Sequence, residues 1–300
     1  MKRILSILAL LLGLSLLAGC GGQEQFDDPI APPNPTDTVD TGNEPTDVGA
    51  PSSMLCRIVD GAEDGTLLLA ELEQEGLIST GSGGVFRLGT DGLEIFLDGK
   101  KTDASALEDG MAVEISWDGT VMDTYPAQLG QVYSLSVWSL GSEQNPGGGY
   151  YDLCGFYLKV LDDLWQKDPA LNENISVAGL DLSNAPGGLT ENEKQALAWR
   201  FGELHGVEVI TEDFESYYTA IDLGESVKEG PALYEWTDGC LFSIEPHAAD
   251  QEEVYSLPTL RFDAAKWRGP LAAYCFYDCT AVWPELGNWS EYTIGGEMIS

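Results

Sequence analysis

The chain of 300 residues carries 14 Lys and Arg against 50 Asp and Glu, a formal charge of −36, with 43% hydrophobic and 10% aromatic residues. That apolar content is enough for packed cores and for two domains of ordinary size, and it excludes a disordered body. An acidic excess of this size repels nucleic acid, which needs a basic footprint, and repels anionic lipid head groups and wall polymers.

At the start, Lys2 and Arg3 precede an apolar run from Ile4 to Leu17, followed by Ala18-Gly19-Cys20. A short basic start, an apolar stretch too brief to span a bilayer and small residues before a cleavage point make residues 1–19 an export signal. Leu17-Ala18-Gly19-Cys20 resembles the lipobox of bacterial lipoproteins. The resemblance implies that the Cys20 thiol takes a diacylglyceryl group and that Cys20 becomes the new N-terminus. It implies a protein lipid-anchored at the cell membrane and facing outside the cytoplasm. Loss of Lys2 and Arg3 with the leader takes the charge to −38, so the lipid on Cys20 is the anchor the sequence offers. Residues 20–53 read as a disordered tether. They hold Pro29, Pro32, Pro33, Pro35, Pro45 and Pro51, no Lys or Arg, and no apolar periodicity, so they bury too little to offset their ordering entropy.

Residues 54–140 carry short or alternating apolar runs, among them Leu55 to Val59, Thr66 to Leu72, Met111 to Trp117 and Gln131 to Trp138. Asp64-Gly65, Asp91-Gly92, Asp98-Gly99 and Asp118-Gly119 separate them as turns. The pattern predicts a small all-β barrel of OB type. Leu107-Glu108-Asp109-Gly110-Met111-Ala112-Val113, Trp117-Asp118-Gly119 and Tyr125-Pro126-Ala127 resemble small secreted β-barrel domains of unknown function from Gram-positive lipoproteins. Residues 141–149, with Gly147-Gly148-Gly149, read as a linker.

Residues 150–300 have a different rhythm. Leu153, Tyr157, Val160, Leu161 and Leu164 form the stripe of an amphipathic helix that Pro169 stops. Ile175 to Leu182 reads as a strand, and Thr190 with Glu193 opens a second helix that ends at His205-Gly206. After a strand at Val207 to Ile210, Thr211 is placed to cap a third helix through Phe214, Tyr217 or Tyr218 and Ile221. Strands follow at Leu233 to Trp236, Leu241 to Ile244, Thr259 to Phe262, Leu271 to Val282 and Trp289 to Ile294, with Asp238-Gly239 as a hairpin turn. The expectation is an α+β domain with a mainly antiparallel sheet, and an α+β fold class for the whole chain.

Chemistry is sparsely marked. Five cysteines remain after Cys20, an odd number for an exported chain, and no C-x-x-C pair points to zinc or redox work. Cys240 and Cys279 are the pair expected to form a disulfide. His205, at a helix C-terminus, is expected to complement the macrodipole as an imidazolium, and His247 is expected in a loop. No nucleophile motif, phosphate-binding glycine loop or histidine zinc motif occurs, so no catalytic, cofactor or metal residue is assigned. Asp60-Gly61-Ala62-Glu63-Asp64-Gly65 has oxygen ligands without EF-hand spacing. The eight tryptophans read mainly as core, with Trp267 and Trp283 at element ends as the better candidates for exposed stacking. The function expected is a surface-anchored lipoprotein that binds an extracytoplasmic ligand or protein, more a binder than an enzyme. The alternative is a carboxylate-dependent hydrolase of glycan or cell wall.

Overall fold

The structure, a computed structural model, describes residues 51–72, 84–139, 142, 152–221, 232–247, 259–282 and 291–300. The leader, Cys20, nearly all of the expected tether and all of the expected linker except Ser142 lie outside the described residues.

The first sheet is built from β1 (Ser52–Asp60), β2 (Thr66–Glu71), β3 (Val85–Gly89), β4 (Glu94–Leu97), β5 (Lys100–Thr102), β6 (Ala112–Trp117), β7 (Val121–Met122), β8 (Ala127–Leu129) and β9 (Val132–Val137). Its order is β5-β4-β9-β6-β1-β2-β3-β8-β7. β1 and β2 read as continuous apolar runs because both of their faces are covered, as expected of strands inside a layered fold. Met54, Cys56, Ile58, Leu67, Leu69 and Phe86 enter a cluster with Ile95, Leu107, Ile115, Trp117 and Leu135. Val59, Leu68, Ala70 and Val85, on the opposite face, pack with the helices. The sheet gathers one apolar face into a single core, yet its edge strands β5 and β7 do not pair. They are three and two residues long, too short to continue a ladder around a barrel. The expected OB-like barrel is therefore corrected to an open sheet.

The rest of the chain comprises α1 (Leu153–Gln166), β10 (Val177–Asp181), α2 (Glu191–His205), β11 (Glu208–Ile210), β12 (Thr219–Ala220), β13 (Tyr234–Glu235), β14 (Gly239–Pro246), β15 (Thr259–Gly269), β16 (Ala272–Val282) and β17 (Gly296–Ile299). The second sheet is open as well, in the order β11-β10-β14-β15-β16-β17. β10 runs parallel to both of its neighbours, whereas β14 to β17 pair antiparallel. The expected third helix is a single 3-10 turn at Phe214–Tyr217, followed directly by β12. The aromatic and β-branched run Tyr217-Tyr218-Thr219 favours extended backbone. The expected hairpin at Asp238-Gly239 is absent, because β13 pairs with β12 and β14 pairs with β10 and β15.

With two α-helices among the described residues and strands dominating, the α+β expectation gives way to a mostly-β architecture of two open sheets. Val48–Ser300 is one compact unit. The buried faces of α1 (Phe156, Tyr157, Val160, Leu161, Leu164) and α2 (Ala196, Leu197, Phe201) join Phe242, Phe262 and Phe276 from the second sheet and Val59, Leu68 and Val85 from the first. The two parts expected to fold as separate units thus share one core.

Candidate functional site

The candidate site is a cleft of about 400 Å3 where the C-terminal half of α2, the edge strand β11 and the β7–β8 connection meet. α2 is placed by a full capping box: Thr190 Oγ1 accepts from the Glu193 backbone N–H at 3.2 Å, and Glu193 Oε2 accepts from the Thr190 N–H at 2.8 Å. Gly206 ends the helix in the left-handed conformation, φ 66°, and turns the chain back into β11. Gly202 allows the close return. A Cβ there would stand 2.9 Å from the Val207 carbonyl oxygen and 3.1 Å from Val209 Cγ2.

Tyr125, 56% exposed, arches over from the first sheet, and its hydroxyl makes a long contact of 3.5 Å with the Gln195 carbonyl. Gln195 Nε2 donates to Thr211 Oγ1 at 2.9 Å, which ties α2 to the segment after β11. Trp199 lines the cleft and carries the Arg87 guanidinium over its ring, 5.6 Å from the centroid. Glu203 and Glu208 complete the polar lining, and among the described residues no Lys, Arg or His lines the cleft. Two aromatic rings beside two carboxylates suit a neutral or cationic, partly apolar guest.

A second constellation sits on the outward face of the other sheet. His247, expected in a loop, follows β14 directly and is buried. Its Nδ1 lies 2.9 Å from Asp263 Oδ1, its Nε2 lies 3.9 Å from Asp278 Oδ1, and its ring meets Tyr277 edge-on at 4.8 Å. Arg261 donates to Asp278 at 2.6 Å and holds that carboxyl below its usual range. A bulge between Phe262 and Ala264 lets the Asp278 N–H donate to Asp263 Oδ1 at 2.8 Å, with Asp278 at φ 51°. The His247 ring is thus tied to Asp263 on β15 and set near Asp278 on β16. It staples β14, β15 and β16 together.

The other singled-out residues serve structure. His205 ends α2 as expected, but its imidazole stacks on Trp165 at 4.1 Å, and burial, opposed by Asp162, pushes its pKa below the usual value. The ring packs on Trp165 and Phe201, and the direction of the shift runs against the expected imidazolium. Cys240 and Cys279 are both free, which corrects the expected disulfide. β15 lies between their strands, and the register offsets the two further, with Leu241 opposite Trp267 but Cys279 opposite Phe262, so they stand well beyond the roughly 7 Å between Cα atoms that a bridge allows. Burial raises both thiols to about 12, so they behave as small hydrophobes.

Asp60 is engaged by Arg200 at 2.7 Å, and Asp109 accepts from the Ala62 N–H. Among the described residues no group of three or more His, Cys, Asp or Glu is arranged to hold a metal ion. Trp117 and Trp236 are buried and Trp267 packs against Tyr218, while Trp283 and Trp289 lie outside the described residues.

The sequence reading did not single out Glu203, Glu208 or the His247–Asp263–Asp278 cluster. Arg261-x-Asp263 and Glu245-x-His247 do show the period-two spacing that puts charges on one strand face. Among the described residues the cleft wall is largely local, since nine of its ten lining residues lie between Gln195 and Val209 and Gln195, Trp199 and Glu203 fall four apart on α2; Tyr125, which closes it from the first sheet, had no signal in the sequence. In comparison with known proteins, the chain matches no family model, no curated protein and no solved structure.

Proposed function

We propose that this chain is a lipid-anchored, extracytoplasmic binding protein whose ligand, neutral or cationic, occupies the cleft between α2, β11 and Tyr125. The observation that carries the binding role is the lining itself: Tyr125 and Trp199 stand beside Glu203 and Glu208, and among the described residues no Lys, Arg or His lines the cleft or forms an ion pair with these carboxylates. A chain of charge −36 reinforces the preference at longer range by concentrating cations near its surface. Anchoring rests on Leu17-Ala18-Gly19-Cys20 after an apolar leader, with no basic patch to hold an anionic bilayer by charge.

Two measurements test the two halves of this reading. Full-length protein stays with membranes through a high-salt wash, whereas the chain from Gly21 behind a cleavable non-lipid signal is released; retention of the released form overturns lipid anchoring. Titration of the full chain with arginine amide, followed by tryptophan fluorescence, saturates, and Trp199→Ala with Tyr125→Ala abolishes the saturable signal. A linear, non-saturating response in the unaltered chain overturns the cleft as a binding site.

A further inference from the structure

The cleft is also a sheet edge. β11 ends the second sheet and pairs parallel with β10 in the register Val177–Glu208, Ala178–Val209 and Gly179–Ile210. The Glu208 N–H donates to the Ser176 carbonyl at 3.0 Å. In a parallel ladder the polar backbone groups of successive residues point alternately to the two sides. Glu208 and Ile210 therefore use their N–H and C=O groups toward β10. The N–H and C=O of Val209 point the other way, off the edge, and Val209 lines the cleft. An edge of this kind is a template for another strand. The nearby carboxylates set what that strand carries. Glu203 and Glu208 are exposed and make no ion pair among the described residues, and Tyr125 offers an open aromatic face.

Resting on the cleft as the binding site proposed above, we infer that β11 takes an extended peptide bearing a Lys or Arg side chain. The peptide adds a strand through the Val209 N–H and C=O, and its cation lies among Glu203, Glu208 and Tyr125. Three features argue for a basic partner peptide over a second copy of this chain. Among the described residues the cleft lining carries only negative charge, the chain as a whole is strongly anionic and self-repelling, and the three residues of β11 give an edge suited to a short peptide. Main-chain bonds supply affinity in this mode, and the charged pocket supplies specificity.

The test uses the full-length chain, purified in detergent, with an acetylated and amidated hexapeptide of alternating valine and lysine, read by calorimetry. The expected result is saturable binding, weakened at least tenfold in Glu203→Gln/Glu208→Gln and weakened by added salt. A peptide with Glu in place of Lys does not bind, and N-methylation of alternate backbone amides on the ladder side weakens binding at least tenfold. Equal binding of the N-methylated peptide overturns strand addition. Binding of arginine amide without any binding of the peptide overturns this inference while leaving the cleft proposal standing. Failure of both probes overturns the cleft proposal itself. A dimer in sedimentation that the peptide dissociates makes a second copy the natural occupant and overturns the inference of a basic partner.

Discussion

Asp152 shows how one carboxyl is set between opposing demands. It caps α1 by accepting from the Gly155 N–H at 2.8 Å, yet it is buried where the first sheet meets the helices. Desolvation raises its pKa to about 6, and Asp109 and Asp60 push in the same direction, against the Gly155 hydrogen bond and Arg57. In the unfolded chain it titrates near 4. Between about pH 4 and 6 the folded state therefore holds more protons than the unfolded one, so this group's contribution to stability falls as pH rises through that window and is level above it. The loss is about 3 kcal/mol at its upper bound. Asp152→Asn keeps a good N-cap and removes the ionisation. Urea unfolding is expected to show the variant as stable as the parent near pH 4 and more stable by about 1–3 kcal/mol at pH 7.5. A stability difference that does not change with pH would show that Asp152 does not titrate this way. Lys266 resolves a similar conflict by hydrogen bonding. Fully buried, its Nζ donates to the carbonyls of Trp165, Lys167 and Asp168 and to Asn172 Oδ1, which ties off the end of α1, while burial lowers its pKa to about 8.

At the scale of elements, one glycine sets how closely the first sheet approaches the start of α1. Gly110 lies just before β6 at φ 87°, donates to the Ile58 carbonyl at 2.7 Å and accepts from Arg57 Nη1 at 3.0 Å. A Cβ at Gly110 would stand 2.7 Å from both the backbone nitrogen and the Cβ of Asp152. Gly110→Ala therefore combines a left-handed backbone with a collision against the helix N-cap. Its expected cost is about 2–4 kcal/mol, seen as a lower urea midpoint. Gly99→Ala is the control, since Gly99 has φ 74° but nothing within 4 Å of the added Cβ; its cost is expected near 1 kcal/mol. Equal effects of the two substitutions would show that the collision contributes nothing. The Arg57–Glu193 ion pair, at 3.2 Å with both side chains 9% exposed, joins the same sheet to α2. Glu193 thus serves the capping box of α2 and the first sheet at once.

Across the whole molecule, α1 and α2 are covered on one side by the first sheet and on the other by the second, and the larger apolar cluster contains side chains from all of these. Neither sheet buries its helix-facing side without the helices. Thermal or urea unfolding of the full chain is therefore expected to give one transition, with tryptophan fluorescence and far-UV circular dichroism superimposing. Two separated transitions would show that the parts on either side of 141–149 are independent after all. The same layering builds the cleft, because Tyr125 comes from one sheet, β11 from the other and Trp199 from the helix between them.

Local chemistry was readable from the chain alone. The stripe from Leu153 to Leu164, the Thr190–Glu193 box and the Gly206 stop act within a few residues, and each stands where sequence periodicity and capping place it. Most strand positions and the turns at Asp64-Gly65, Asp91-Gly92 and Asp98-Gly99 were legible for the same reason, whereas Asp118-Gly119 and Asp238-Gly239 join no hairpin. What the strands build was not. A run such as Met54–Val59, apolar except for Arg57, reads the same whether it lines a barrel wall or lies inside a layered fold, and pairing order decides between them. The turn at Phe214–Tyr217 and the strand after it were settled by pairing with β13 rather than by a helical pattern. Cys240 and Cys279 were kept apart by a strand inserted between theirs. The cleft belongs partly to this second class. Gln195, Trp199 and Glu203 share the four-residue spacing of one face of α2, but Tyr125 reaches them from another sheet, and the layers come together because each needs the next to bury its apolar face.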